Sequence, residues 1–131
     1  MRLTDWQLRY SEFAHARVNM PFAWGSNDCC SFAAAAVEAL TGRNPMPGAA
    51  PYASEIGAAK LIARAGGLKE LASQYLGEPV SPLMAGVGDV LLVVNEGREM
   101  LAVCNGVNAM APAESGMVAL CITAATAAWK I

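Results

Sequence analysis

At the loop marked by Pro79 and Pro82 the texture of this chain changes, and that change constrains its fold more than any other feature. Ahead of the loop, apolar residues recur at helical spacing; behind it they run in short β-type blocks separated by turn residues. A chain that places its helices first and its strands afterwards, without alternating the two, builds an α+β domain and not a doubly wound parallel sheet. Its 131 residues are enough for one domain, 1–131, with no second core. Apolar types supply 55% of the residues and charged types 15%, so one core can be filled and disorder is excluded.

The individual elements follow from caps and spacing. Thr4 with Gln7 has the form of a capping box, and Trp6, Tyr10, Phe13 and Arg17 continue at helical spacing until Asn19 and Pro21, which predicts a helix over roughly Asp5 to Val18. Asn27 or Asp28 caps a second helix through Phe32, the alanines at 33 to 36, Val37 and Leu40, ending at Gly42. Pro45, Pro47, Gly48 and Pro51 mark a loop. Ser54 then caps a third helix that ends at Gly66 and Gly67, and a short fourth runs from Leu68 to Leu76. The run from Val90 to Val94, the turn residues Asn95 to Arg98 and the run from Met100 to Cys104 predict an antiparallel hairpin. Turns at 106–108 and 114–116 predict one or two more strands before a short C-terminal segment carrying Trp129.

Charge and cysteine usage narrow the partners. With a net charge of -2 and no cluster of Lys or Arg, the chain has nothing to neutralise a run of phosphates, so nucleic acid is not an expected partner. So few charges in a small domain suggest that part of the surface meets another protein. The first residues turn polar at once and show no secretory h-region, which points to synthesis in the cytoplasm. The weakly polar stretch from Met117 to Trp129 is shorter than the roughly 20 residues a membrane span needs. Of the four cysteines, Cys29 and Cys30 are adjacent, and reduced thiols are expected for Cys29, Cys30, Cys104 and Cys121.

Cys29 is the candidate nucleophile. A thiol in the first turn of a helix faces unpaired N–H groups and the positive end of the helix dipole, both of which favour the thiolate. Against this stands the plain alternative of an inert buried thiol in an Ala-rich helix. Cys30 lies about 100° further round the helix, so it is expected to face the core while Cys29 faces any site.

The residues Pro21-Phe22-Ala23-Trp24-Gly25, then Asp28-Cys29 and Phe32, reproduce an aromatic-x-Trp-Gly and Asp-Cys-x-x-x-Phe signature. In this the chain resembles the NlpC-like endopeptidases of the papain-like cysteine peptidase superfamily. Asp28 to Ala34 followed by Thr41-Gly42 is similar to the branch of that superfamily found in tailed-phage tail modules, and Gly88-Asp89-Val90 resembles the opening of the family's first core strand. The resemblance covers most of the chain. It implies a cysteine-bearing helix packed on a small antiparallel sheet, with Cys29 at the nucleophile position and Trp24, Gly25 and Asp28 as its scaffold.

The same comparison implies losses. The general base, a His opening the second strand, falls on Met100, whose thioether accepts no proton. The third polar residue falls at Pro112, and the tyrosine that precedes Trp-Gly in relatives is Phe22. His15 is the sole histidine and precedes the cysteine on the first helix, where a surface or structural role is expected. No metal site is expected, because adjacent Cys29 and Cys30 lack the C-x-x-C pitch, and no cofactor is implied. Gly86-Val87-Gly88 reads as a turn and not as a phosphate loop.

Two functions are therefore expected as alternatives. One is a structural or interaction component of a bacteriophage tail, at the tail tip, made in the host cytoplasm and carried in the virion among other tail and baseplate proteins. The other is a working cysteine endopeptidase or amidase that cleaves peptidoglycan peptides during genome entry, with Cys29 as nucleophile.

Overall fold

The computed structural model describes residues 1–46 and 51–131; the loop positions Pro47 and Gly48 lie outside the described residues. Four helices come first: α1 (Trp6–Arg17), α2 (Cys29–Thr41), α3 (Glu55–Ala65) and α4 (Leu68–Leu76). Five strands follow: β1 (Val90–Asn95), β2 (Arg98–Cys104), β3 (Asn108–Ala113), β4 (Gly116–Cys121) and β5 (Ala125–Trp129). They form one sheet in the order β4-β3-β2-β1-β5, with every neighbouring pair antiparallel. The architecture is α+β, as the change of texture predicts.

Helix α2 is the centre of the helical layer. The Asp28 carboxylate accepts the Ser31 N–H at 2.9 Å while the Ser31 hydroxyl receives the Asp28 N–H at 2.9 Å, a reciprocal cap that fixes where the helix begins. Gly42 ends it in the left-handed conformation. Between the caps, Phe32, Ala33, Ala36, Val37 and Leu40 are buried, and the alanines let α2 lie close against both α1 and the sheet. Burying Phe32 alone contributes about 2–3 kcal/mol. Its ring meets Phe13 of α1 at a centroid distance of 5.1 Å.

The start of α1 differs from expectation. Asp5, not Thr4, is the N-cap residue, and no side chain caps the helix. The Asp5 carboxylate is engaged by Arg9 Nε at 2.8 Å, and the chain before the helix is held instead by Leu3 N–H donating to the Leu40 carbonyl at 2.8 Å. Tertiary anchoring to the end of α2 replaces the local cap. Ser54 caps α3 as expected, through the Gly57 N–H at 3.1 Å.

The β1–β2 hairpin runs in register from Val90↔Val103 to Asn95↔Arg98. Its two-residue turn, Glu96 and Gly97, has positive φ at both positions (53° and 78°), the mirror-image turn that matches the strand twist. Alternation along β2 sends Leu101 toward the helices, where it joins Leu92, Cys30 and Leu71 in one core cluster, while Val103 packs with Phe32. Ala102 and Cys104 go to a second cluster on the opposite face, with Leu91, Val93 and Ala109.

Three strands follow the hairpin where one or two were expected. The additional one is β5: the C-terminal segment crosses back to pair with the free edge of β1, Val90↔Trp129 and Leu91↔Ala128. Its alanines carry little strand propensity, and tertiary burial sets its conformation. Trp129 is fully buried, and its indole N–H donates to Ser73 Oγ on α4 at 3.3 Å, joining helical layer and sheet. No helix of the described residues is long and apolar enough to cross a membrane.

Candidate functional site

The loop before α2 is built by two buried polar residues. Asn27 donates to the Met20 and Pro21 carbonyls at 3.2 and 2.9 Å and accepts Arg17 Nη1 at 2.8 Å, fastening the loop to the end of α1. Asp28 divides its carboxylate between Ser31 and the Gly25 N–H, the latter at 2.7 Å. Both oxygens are thus committed to structure. Gly25 has φ 84°, and a Cβ there would stand 2.2 Å from the Tyr52 carbonyl oxygen, so the position needs glycine for conformation and for space. Beside it, the Phe22 and Trp24 rings pack edge to face with centroids 4.7 Å apart.

This loop holds Cys29 at the first position of α2, half-buried beside a cleft of about 390 Å³. The cleft runs from the Phe22–Trp24 pair and Tyr52 to the β1–β2 hairpin, with Ile62 of α3 along one side and Glu99 at the strand side. The neighbouring Cys30 thiol does most to hold the Cys29 thiol below its ordinary value; burial opposes this, and the Leu101 N–H aids it. The Cys30 thiol is driven up by Cys29 and by burial. Burial, followed by the Asp28 carboxylate, pushes the Tyr52 phenol up.

Of the residues singled out in the sequence, Phe22, Trp24, Asp28, Cys29 and Met100 border the cleft, and Gly25 stands behind it. Cys30 borders it too, although it was expected to face only the core. A helical step of about 100° is too small to remove a first-turn residue from a cleft that wraps the helix end. His15 is exposed near the end of α1 and does not line the cleft. Cys104 is buried on the far face of the sheet, and Cys121 is exposed at the end of β4.

Met100 borders the cleft, but it and Leu101 pack into different clusters. Met100 packs with the cluster on the far face of the sheet, whereas Leu101 packs in the cluster that also receives Cys29. Strand alternation is the reason: neighbouring residues of β2 point to opposite faces. The β2–β3 register, Val103↔Met110, carried two residues further along each strand leads to Leu101 and Pro112, so Pro112 belongs to the face of Leu101.

Sequence reasoning missed Tyr52, Leu101 and Glu99. The hairpin pattern held the signal for Leu101, because Leu92↔Leu101 follows once Asn95–Arg98 is accepted as the turn. Nothing local marked Tyr52, which reaches the site from the loop before α3.

The arrangement presents a thiol held below its ordinary value at a helix start, where the first-turn N–H groups have no acceptor within the helix. The carboxylate that acts on this thiol is that of Asp28, which raises rather than relieves its proton affinity. Among the described residues, no group of three or more His, Cys, Asp or Glu side chains is placed to hold a metal ion.

No curated protein and no solved structure matches this chain. One family model does, described as domain of unknown function (DUF6950), and its match runs over residues 1–131. The chain belongs to the DUF6950 family.

Proposed function

We propose that this domain is a relative of the NlpC-like cysteine peptidases in which the proton-transfer half of the site has been dismantled, and that it serves as an interaction component of a bacteriophage tail, at the tail tip. The observation that carries the reading is the cleft beside Cys29, which no histidine borders and whose strand side includes Met100. The thiol keeps a nucleophile's mounting at a helix start, yet the only histidine in the sequence lies elsewhere. Amide hydrolysis needs a group that takes the thiol's proton and later gives one to the departing amine. His15 is remote on α1, and Asp28 is spent on the cap. The motif residues Trp24, Gly25 and Asp28 support the family reading, and the low charge of the chain supports a role among neighbouring tail and baseplate proteins.

The test is hydrolysis and assembly measured together. Purified protein is expected to leave peptidoglycan peptides intact over hours, with His15→Ala unchanged from the parent, and to be found in the tails of purified virions. Cleavage of those peptides that disappears in Cys29→Ala would overturn the reading. It would favour the alternative, a working endopeptidase, for which the lowered proton affinity of Cys29 is the supporting observation.

A further inference from the structure

The sheet has two edges, β4 and β5, and the chain treats them differently. Val80 covers β5, donating to the Ala128 carbonyl at 2.7 Å and accepting the Ala128 N–H at 3.0 Å. On β4 the described residues cover only the start, where the Met117 N–H donates to the Val18 carbonyl at 3.0 Å. Beyond it Val118, Ala119 and Cys121 are exposed. We propose that this segment pairs antiparallel with the same segment of a second copy of the chain, joining the two sheets edge to edge. Neither Cys29 nor its cleft takes part, so the interface is independent of the function proposed above.

The phase of the ladder says which groups are free. Pro112, opposite Met117, has no N–H, and Met117 turns its own toward Val18 and away from β3. Antiparallel pairs alternate, so Met117, Ala119 and Cys121 aim N–H and carbonyl outward, while Gly116, Val118 and Leu120 bond to β3. Among the described residues, no backbone bond outside the strands uses the groups of Ala119 or Cys121. Two outward residues with one inward residue between them are their own complement. A two-fold axis through Leu120 sets Ala119 opposite Cys121 of the second copy, and Cys121 opposite its Ala119, so that each free N–H meets a free carbonyl.

Charge and side chains select a second copy as the occupant. From Ser115 to Trp129 the chain has no charged residue, so identical strands meet without like-charge contact, and a strand rich in either sign would find no complement here. The usual guards of an edge are also missing: β4 carries neither lysine nor proline, and its ladder with β3 runs without a bulge. The same axis places Leu120 against Leu120, and Val118 beside Ile122 of the second copy. Leu120 and Ile122 already pack on the far-face cluster, so the pairing extends an apolar surface that each copy has begun. On the other face of the sheet the small Ala119 leaves room for the Cys121 side chain of the second copy.

Sedimentation equilibrium of the full chain in reducing buffer tests the interface, and a reversible monomer–dimer equilibrium is expected. Ala119→Pro removes an outward N–H and none of the bonds to β3, and Val118→Lys sets a charge beside Ile122 of the second copy. Each is expected to weaken dimerisation at least about tenfold, with the urea midpoint of the monomer close to that of the parent. Disulfide trapping reads the register. In Ala119→Cys, oxidised glutathione is expected to link the introduced thiol to Cys121 of the other copy, across a pair whose Cα atoms stand about 5.5 Å apart. A parent that stays monomeric up to about 1 mM, or a dimer that both edge variants leave intact, overturns the proposal. Linkage between identical positions in place of the crossed one overturns the axis through Leu120 and the pairing built on it.

Discussion

Leu101 in β2 and Cys29 at the first position of α2 pack in the same core cluster. Leu101 is therefore one strand position from which an introduced base could be tested against the thiol. A base restored there should act on the thiol. Leu101→His is expected to speed alkylation of Cys29 by iodoacetamide at pH 7 by one to two orders of magnitude, roughly the lower end of what a positioned base supplies. The rate should also gain a second inflection near the titration of imidazole. Met100→His is expected to have the smaller effect, because Met100 packs with the far-face cluster although it also borders the cleft. If both variants behave alike, the assignment of faces fails.

The thiol pair makes a separate prediction. Cys30 is the largest cause of the lowered proton affinity at Cys29, so Cys30→Ala should move the alkylation curve of Cys29 toward higher pH, back in the direction of the ordinary thiol value of 9.0. The sign follows from linkage: a group held below its ordinary value in the folded chain stabilises the fold above that value, and the stabilisation fades as pH falls. The alkylation rate of Cys29 against pH, read by peptide mapping in parent and variant, checks it. An unmoved curve would show that the helix start acts without its neighbour.

Much of this was legible in the residues. The caps at Asp28 and Ser54, the stop at Gly42 and the Asn95–Arg98 turn are local chemistry, and local chemistry is what a sequence displays. What escaped was set at long range. Leu3 is held by Leu40, so α1 starts without the Thr4 cap; β5 is a strand because β1 leaves an edge open to it, not because alanines favour strands. The site divides in the same way. Cys29 and its scaffold lie within a few residues of each other and could be read as a motif, whereas Tyr52 and Glu99 reach the cleft from a distant loop and a hairpin.

Gly25 offers a test of how the loop sets the cleft. At φ 84° an added Cβ would be strained by the backbone and would meet the Tyr52 carbonyl oxygen at 2.2 Å. Gly25→Ala is expected to cost about 2–3 kcal/mol of stability from strain and displacement together, seen as a lowered denaturant midpoint. It should also push the Tyr52 loop away from the thiol and change the alkylation rate of Cys29, whereas Gly77→Ala, where a Cβ meets nothing within 4 Å, should leave that rate alone. A Gly25→Ala protein of unchanged reactivity would detach Tyr52 from the site.

The last prediction concerns Asp89, a fully buried carboxylate at the start of β1 that gathers both ends of the described chain. Arg2 Nη2 lies 3.0 Å from one oxygen, which also receives the Ile131 N–H at 2.9 Å; Lys130 Nζ and the Gly86 N–H serve the other, the latter at 2.8 Å. Burial alone would raise its proton affinity, but Lys130 and the two backbone donors together hold the carboxyl below its usual range. Its contribution to stability is therefore complete above the ordinary carboxylate value of 3.8 and is lost as pH falls through the lower folded value. Asp89→Asn keeps the shape and removes the charge, leaving Arg2 and Lys130 facing an amide. Half of the Lys130 side chain remains in water, which limits its share, so a loss of about 2–3 kcal/mol is expected at neutral pH. Urea unfolding of parent and variant at pH 7 and again at pH 3 measures it: the gap between the two should narrow in acid, because the parent then begins to lose the charge that the variant never had. A gap that is constant with pH would mean that the carboxylate holds the ends of the chain by shape and hydrogen bonding alone.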